Sequence, residues 1–282
     1  MQIVKESGER EVYSREKLCE SLADSGAPQE TVDKVCLAVE QELTPGISTS
    51  EIFRKALRLL VQQNSAAASR YNLKRGIAQL GPAGFFFEQF IETLLQALGY
   101  KTERNVIMQG KCVEHEVDVV AKKSGEHAFV EAKYHNATSI KTHVDVVMYA
   151  DARLMDIADI REREESEKAK HVMWVITNTK FTSQAIKYAS CRGLRLTGWK
   201  YPHKEGLEEL VTRHALYPVT VLPSVNAETL SALARQNMML AQDIAPHNAE
   251  ELSQNFDIEK GRAAQLVREA HQLVYGEPEK MS

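Results

Sequence analysis

Apolar positions recur at helical spacing across residues 85–98, where Phe87, Phe90, Ile91, Leu94, Leu95 and Leu98 line one side and Gly99 offers a natural stop. Glu88 stands on the side of Ile91 and Leu95, at the rim of that stripe. The period then shortens. Val117, Val119 and Val120 enclose Asp118, and Phe129, Val130 and Ala132 enclose Glu131, which predicts two strands. Residues 121–127 between them carry Lys122-Lys123-Ser124-Gly125, good turn material, so the two strands are predicted to form a hairpin. Residues 171–178 read as a buried strand ending in a turn, residues 181–189 as a helix with Thr182 as its N-cap, and residues 194–199 as a third strand.

The flanks differ from this centre. Residues 4–13 predict a β-hairpin around Ser7-Gly8, and Ser14 is placed to cap the helix that follows. Helical segments continue over residues 29–43, over 49–63 after the Thr44-Pro45-Gly46 break, and over 66–80 up to Gly81-Pro82. Beyond Pro218 the pattern predicts helices over residues 227–240, 249–253 and 260–274. Residues 161–170 form a mixed charge run of the kind found at a solvated helix end or loop. The chain is therefore divided into residues 1–80, 81–215 and 216–282, and its 282 residues are enough for two or three cores.

Composition adds exclusions. No apolar run follows Met1, and nothing approaches a membrane span, so a cytoplasmic location without membrane contact is expected. Cys19, Cys36, Cys112 and Cys191 form no C-x-x-C pair and predict neither a zinc site nor a disulfide, as suits a reducing compartment. A net charge of −4 leaves DNA binding open, because a local basic surface decides it, but argues against strong indiscriminate binding.

The chemistry concentrates in the predicted hairpin. Side chains alternate along a strand, so Glu131 and Lys133 share one face while Ala132 takes the other, and Asp118 sits opposite them across the turn. Two converging carboxylates make an oxygen-rich site for Mg²⁺, and a lysine beside them orients water or offsets charge growing on a phosphate. A half-buried hairpin with charges on its wet face meets the same pattern. Glu88 is either a third acidic ligand or a glutamate complementing the dipole of its helix. Lys141, His143 and Arg153 are placed to approach a DNA phosphate, His143 rather as surface decoration, and His115 reads as an exposed strand-edge residue.

This spacing resembles the PD-(D/E)xK nuclease core, and more of the chain is similar to its Mrr-like restriction endonuclease branch. The G-x-x-x-E helix from Gly84 that closes in Leu98-Gly99-Tyr100 carries the resemblance before the hairpin. The T-N-x-x-F-T-x-x-A-x-x-Y-A helix and G-L-R-L-x-G strand carry it afterwards, over residues 81–214 in all. The resemblance implies a restriction-endonuclease-like mixed sheet flanked by helices, with Asp118, Glu131 and Glu88 at the metal and Lys133 as the catalytic lysine. Many members have Gln-x-Lys where this chain has Glu131-Ala132-Lys133.

The first eighty residues resemble an ATP-cone, through E-K-L-x-x-S-L, I-S-T-S-E-I and S-R-Y-N-L-K-R-G-I-A-x-L-G-P. That implies a mainly helical module binding ATP or dATP without hydrolysing it, with Lys5, Lys17 and Thr49 at the nucleotide. Glu6 stands where the cone usually has an arginine, and Lys74 or Arg75 is then the replacement cation. Residues 216–282 resemble small helix-hairpin-helix-like domains. Together these resemblances predict an α/β, Mg²⁺-dependent DNA endonuclease of restriction or defence, controlled by nucleotide and working as a homo-oligomer. A non-catalytic nucleotide-responsive DNA-binding regulator and a structure-specific resolvase or repair nuclease are the alternatives.

Overall fold

The computed structural model describes residues 1–5, 8–80, 85–164 and 169–276, without the side chains of 85 and 159–164. Expectations resting on Glu6, Ser7, Gly81, Pro82, Gly84 and residues 165–168 lie outside that range. The chain forms two compact units, one joining Met1–Gly76 to the segment from Tyr217 onward, the other spanning Ile77–Leu216. The first and last segments marked off in the sequence thus belong to one unit.

In the first unit, β1 (Gln2–Val4) pairs antiparallel with β2 (Arg10–Val12). Ser14 caps α1 (Arg15–Asp24) by accepting the Lys17 N–H. Then come α2 (Gln29–Gln41) and α3 (Thr49–Gln63), the latter opened by a capping box between Ser48 and Glu51. Where one helix was expected over residues 66–80, two form: α4 (Ser65–Tyr71) and α5 (Leu73–Ile77). Asn72 ends the first by donating its N–H back to Ala68 and Arg70, and its side chain donates to the Val221 carbonyl. Leu22, Val39, Ala56 and Leu60 lie in the core of these helices. The expectation of no disulfide fails here: Cys19 of α1 and Cys36 of α2 are bonded, with Cα atoms 6.0 Å apart. Positions that look scattered along the chain meet because two adjoining helices pack face to face. Cys112 and Cys191 are exposed and outside the disulfide.

The C-terminal helices of this unit are α10 (Ala227–Arg235), α11 (Ala241–Ile244), α12 (Ala249–Phe256) and α13 (Lys260–Tyr275), numbered to leave α6 to α9 for the second unit. Thr220 donates to the Gly76 carbonyl at 2.7 Å, and a Cβ on Gly76 would lie 2.6 Å from Val221, so the joint demands glycine.

The second unit is a mixed α/β layer structure. After α6 (Phe85–Ala97) come β3 (Lys101–Gln109), β4 (Glu114–Lys123) and β5 (Glu126–Lys133). These are followed by β6 (Lys141–Thr142), α7 (Val144–Glu164), β7 (Lys170–Thr177) and β8 (Lys180–Phe181). The unit closes with α8 (Ser183–Arg192), β9 (Arg195–Thr197) and α9 (Leu207–Arg213). The five-stranded sheet has the order β3-β4-β5-β7-β9, antiparallel across its first three strands and parallel thereafter. A short parallel pair, β6 with β8, stands beside it. The expected mixed sheet flanked by helices is therefore present. Ser124 and Gly125 take φ of +47° and +77°, the conformation a two-residue hairpin turn requires, directly after the Lys123↔Glu126 pair. Val120, Phe129, Met173 and Val175 pack against Val147, Ala150 and Ile157 of α7 and Ala185 and Ala189 of α8. Phe87, Ile91, Leu94 and Leu95 of α6 are fully buried as well. Among the described residues no helix is long and apolar enough to cross a membrane.

Candidate active site

Asp118 sits at a gap in two ladders. On one side β3 pairs Arg104↔Val119 and Val106↔Val117 but skips Asn105, whose φ is +52°. On the other, the β4–β5 pairing runs from the turn only as far as Val119↔Val130. Where it stops, the Asp118 carboxylate takes the Ala132 N–H through Oδ2 at 2.7 Å. A side chain replaces the ladder bond, so β4 and β5 part just where Glu131 and Lys133 follow.

Glu131 shares its face of β5 with Phe129, the face packed on α7. There it meets Arg153 of α7, whose Nη1 donates to Glu131 Oε2 at 2.7 Å and to the Glu116 carbonyl at 3.0 Å. Both side chains are largely buried, 12% and 18% exposed. Glu88 of α6 is half-buried near the same group: burial raises its pKa, as do the charges of Glu116 and Glu131, against the pull of Arg104. Asp118 is pushed up to about 7, first by burial, then by the Glu131 charge, with the Ala132 hydrogen bond opposing. Glu88, Asp118 and Glu131 are thus within one electrostatic neighbourhood, short of positive charge.

Lys133 is not paired with them. It is half-buried at the end of β5, beside Thr177 of β7 in the parallel register, and its charge falls instead on His135. Burial, then the charges of Lys133 and His143, hold His135 below the usual histidine range and keep it neutral. The exit of β5 is held firmly. Asn178 accepts the His135 N–H at 2.9 Å and donates to its carbonyl at 2.7 Å, and His135 Nε2 meets Thr142 Oγ1 at 3.0 Å. Thr142 in turn donates to Thr177 inside the protein. Tyr134 donates its hydroxyl to the Ala78 carbonyl.

Two expectations about nearby residues change. His115 is not an exposed edge residue: its Nε2 lies 2.8 Å from Asp156 Oδ2, and both side chains are mostly buried. The His115 hydrogen bond is the main cause holding Asp156 down at about 2, with the Cys112 and Val113 groups assisting. Arg153 is turned to Glu131 rather than outward. Its role as Glu131's partner was missed, although one signal existed: Ala150, Arg153 and Ile157 fall on one helical stripe, so a cation stands in an apolar row. Asp156 and Asn178 left no such trace, because their partners are far away in sequence.

The donor set suits a hard divalent cation: carboxylate oxygens, crowded and under-compensated, at a strand junction. Among the described residues no three His, Cys, Asp or Glu side chains stand close enough to hold an ion as they are. Asp118 and Glu131, with Glu88, are the residues that would hold one.

The residues expected at a nucleotide also lie near one another. The Val4↔Ser48 bridge brings Lys5 beside Thr49, the first residue of α3. Lys5 Nζ is 2.8 Å from Glu9 and 3.4 Å from Glu11, and Lys17 Nζ is 3.5 Å from Glu11. Arg75 stacks on Phe53 and donates to Ser50.

Residues 82–199 match the family model of a restriction endonuclease, and residues 217–274 match that of the AF1548-like C-terminal domain. The first match supports a nuclease of the restriction-endonuclease type. An uncharacterized protein of Archaeoglobus fulgidus is 38% identical over 182 residues, covering 64% of this chain and 98% of that one. The crystal structure of AF1548, a protein of unknown function, is 36% identical, covers 68% of this chain and 99% of its own, and superposes with a TM-score of 0.55.

Proposed function

Since the chain belongs to the AF1548-like family and holds a restriction-endonuclease domain, we propose that it is a divalent-cation-dependent endonuclease that hydrolyses phosphodiester bonds in DNA. The observation that carries this is Asp118, a half-buried carboxylate with a pKa pushed up to about 7 beside Glu131 and Glu88 where β4 and β5 separate. A structural carboxylate would be matched by its own cation, and this group is poised to receive one. Asp118 and Glu131, with Glu88, would hold a Mg²⁺, which would supply Lewis-acid polarisation of the phosphate. The Ala132 N–H fixes the Asp118 carboxylate. Lys133 orients the attacking water and offsets charge on the phosphate, with neutral His135 leaving that ammonium the local cation. The clamp of Asn178 on His135 holds the strand that presents both residues.

The N-terminal hairpin and α3 then form a regulatory nucleotide site, with Lys5, Lys17 and Thr49 taking ATP or dATP. Two copies of the chain working together would cut both strands. Restriction or defence is the setting this chemistry suits.

The test is cleavage of supercoiled plasmid with Mg²⁺ or Mn²⁺. Wild-type protein nicks or linearises it, while Asp118→Asn and Lys133→Ala lose activity by about 10²- to 10⁴-fold. Wild-type protein that leaves plasmid and branched DNA intact with either metal, with and without dATP, overturns the reading.

A further inference from the structure

Among the described residues, Arg153 is a cation in direct contact with a proposed ligand. Arg153 bonds Glu131 through Nη1 and, by the same nitrogen, the Glu116 carbonyl. Arg104, the other guanidinium whose charge reaches Glu88, is committed to Glu92 at 2.6 Å. Arg153 is not fully used where it stands: its Nε is buried and makes no hydrogen bond. A buried donor left unmade is costly, so the guanidinium's present bonds do not satisfy it fully. The guanidinium also stands over the ring of Tyr149, 4.9 Å away on an exposed side chain. Glu88 meanwhile feels the charges of Glu116 and Glu131, and Asp118 those of Glu131 and Glu88. Without a cation, such a cluster keeps its carboxylates charged only at a cost and takes up protons instead.

We propose that Arg153 is a built-in occupant of the carboxylate cluster, holding in the cation-free protein the Glu131 oxygen that a divalent cation must take. Arg153 therefore sets the cation affinity of the site: it keeps the cluster folded when empty and weakens binding by competing for Glu131. This rests on the nuclease reading above, because the competitor has meaning only if the cluster receives a metal. It fits the finding that, among the described residues, no three His, Cys, Asp or Glu side chains are gathered closely enough to hold an ion.

The test measures Mn²⁺ binding by calorimetry on the full chain at pH 8.5, with melting of the metal-free protein alongside. Arg153→Met binds Mn²⁺ tighter by on the order of tenfold, melts lower than wild type without metal, and closes that gap when Mn²⁺ is added. The gain disappears in the Arg153→Met, Glu131→Gln double variant, which a merely structural arginine would not produce. Should Arg153→Met fail to melt cooperatively, Arg153→Lys carries the comparison with a gain of about threefold. If wild type binds Mn²⁺ and cuts DNA while Arg153→Met binds equally or more weakly, this inference is overturned and the nuclease reading stands. If neither protein binds Mn²⁺ and wild type does not cut, both fall.

Discussion

At Asp118 several carboxylates crowd a strand junction with Arg153 as the cation in contact, whereas at the N-terminal hairpin Lys5 and Lys17 share the carboxylates of Glu9 and Glu11. The two clusters are expected ligand sites of opposite sign, and the structure treats them differently. The acidic one is half-buried, so burial first and then the neighbouring carboxylate charges push Asp118 and Glu88 up. The basic one lies at the surface, where Lys5 is raised chiefly by its Glu9 hydrogen bond and each ammonium already has a partner. An incoming Mg²⁺ would relieve strain in the first. A triphosphate at the second must displace glutamates that are already there, and exposed pairs of this kind contribute little. Asp156 sharpens the contrast within one helix. Three residues from Arg153, it meets His115 and two backbone amides and is held down at about 2. The same helix thus carries a well-satisfied carboxylate and the cation that meets Glu131.

The largest expected effect tests the strain at Asp118. Its folded pKa of about 7 lies above the ordinary 3.8, so the folded state binds the proton more tightly than the unfolded chain. That contribution is fully present below pH 3.8 and is lost as pH rises through about 7. Undiluted, the shift amounts to roughly 4 kcal/mol, and partial solvent access reduces it. In EDTA, the melting temperature of Asp118→Asn should gain on that of wild type steadily between pH 4 and 7. Melting profiles that stay parallel across that window would mean the carboxylate is not strained at all.

A smaller effect separates the two roles of Glu88. As a ligand, its replacement by glutamine lowers Mn²⁺ affinity by about tenfold in calorimetric titration. As a dipole-complementing residue of α6, the same change leaves affinity alone and costs at most about 1 kcal/mol in a melt.

The smallest effect probes the basic cluster. Glu11→Gln takes away a carboxylate shared by Lys5 and Lys17, and dATP affinity should rise by about threefold. If neither wild type nor this variant binds dATP, the hairpin and α3 serve as scaffold, and the comparison reduces to one ligand site and one structural ion-pair patch.

Much of the central unit was legible beforehand. The helix over α6, the β4–β5 hairpin with its Ser124-Gly125 turn and the Thr182 cap depend on period and local turn chemistry, and all are present. The elements that differ do so through distant partners. The break at Asn72 involves Val221, and α10 stops at Arg235 instead of running to residue 240, with Asn237 at a φ of +57° soon after. The Cys19–Cys36 bond required two helices to be laid together first.

The sequence by itself determined that Asp118 and Glu131 lie on the two strands of one hairpin, because alternation along β5 and the Asp118 spacing follow from the geometry of a strand and a tight turn. It could not determine the charge balance around them. Arg153 reaches Glu131 across the packing of α7 on the sheet, and Lys133 ends beside His135 because Asn178 fastens the strand's exit. Both outcomes depend on contacts between residues 22 and 43 positions apart, respectively, which only the assembled sheet and its helices bring within reach.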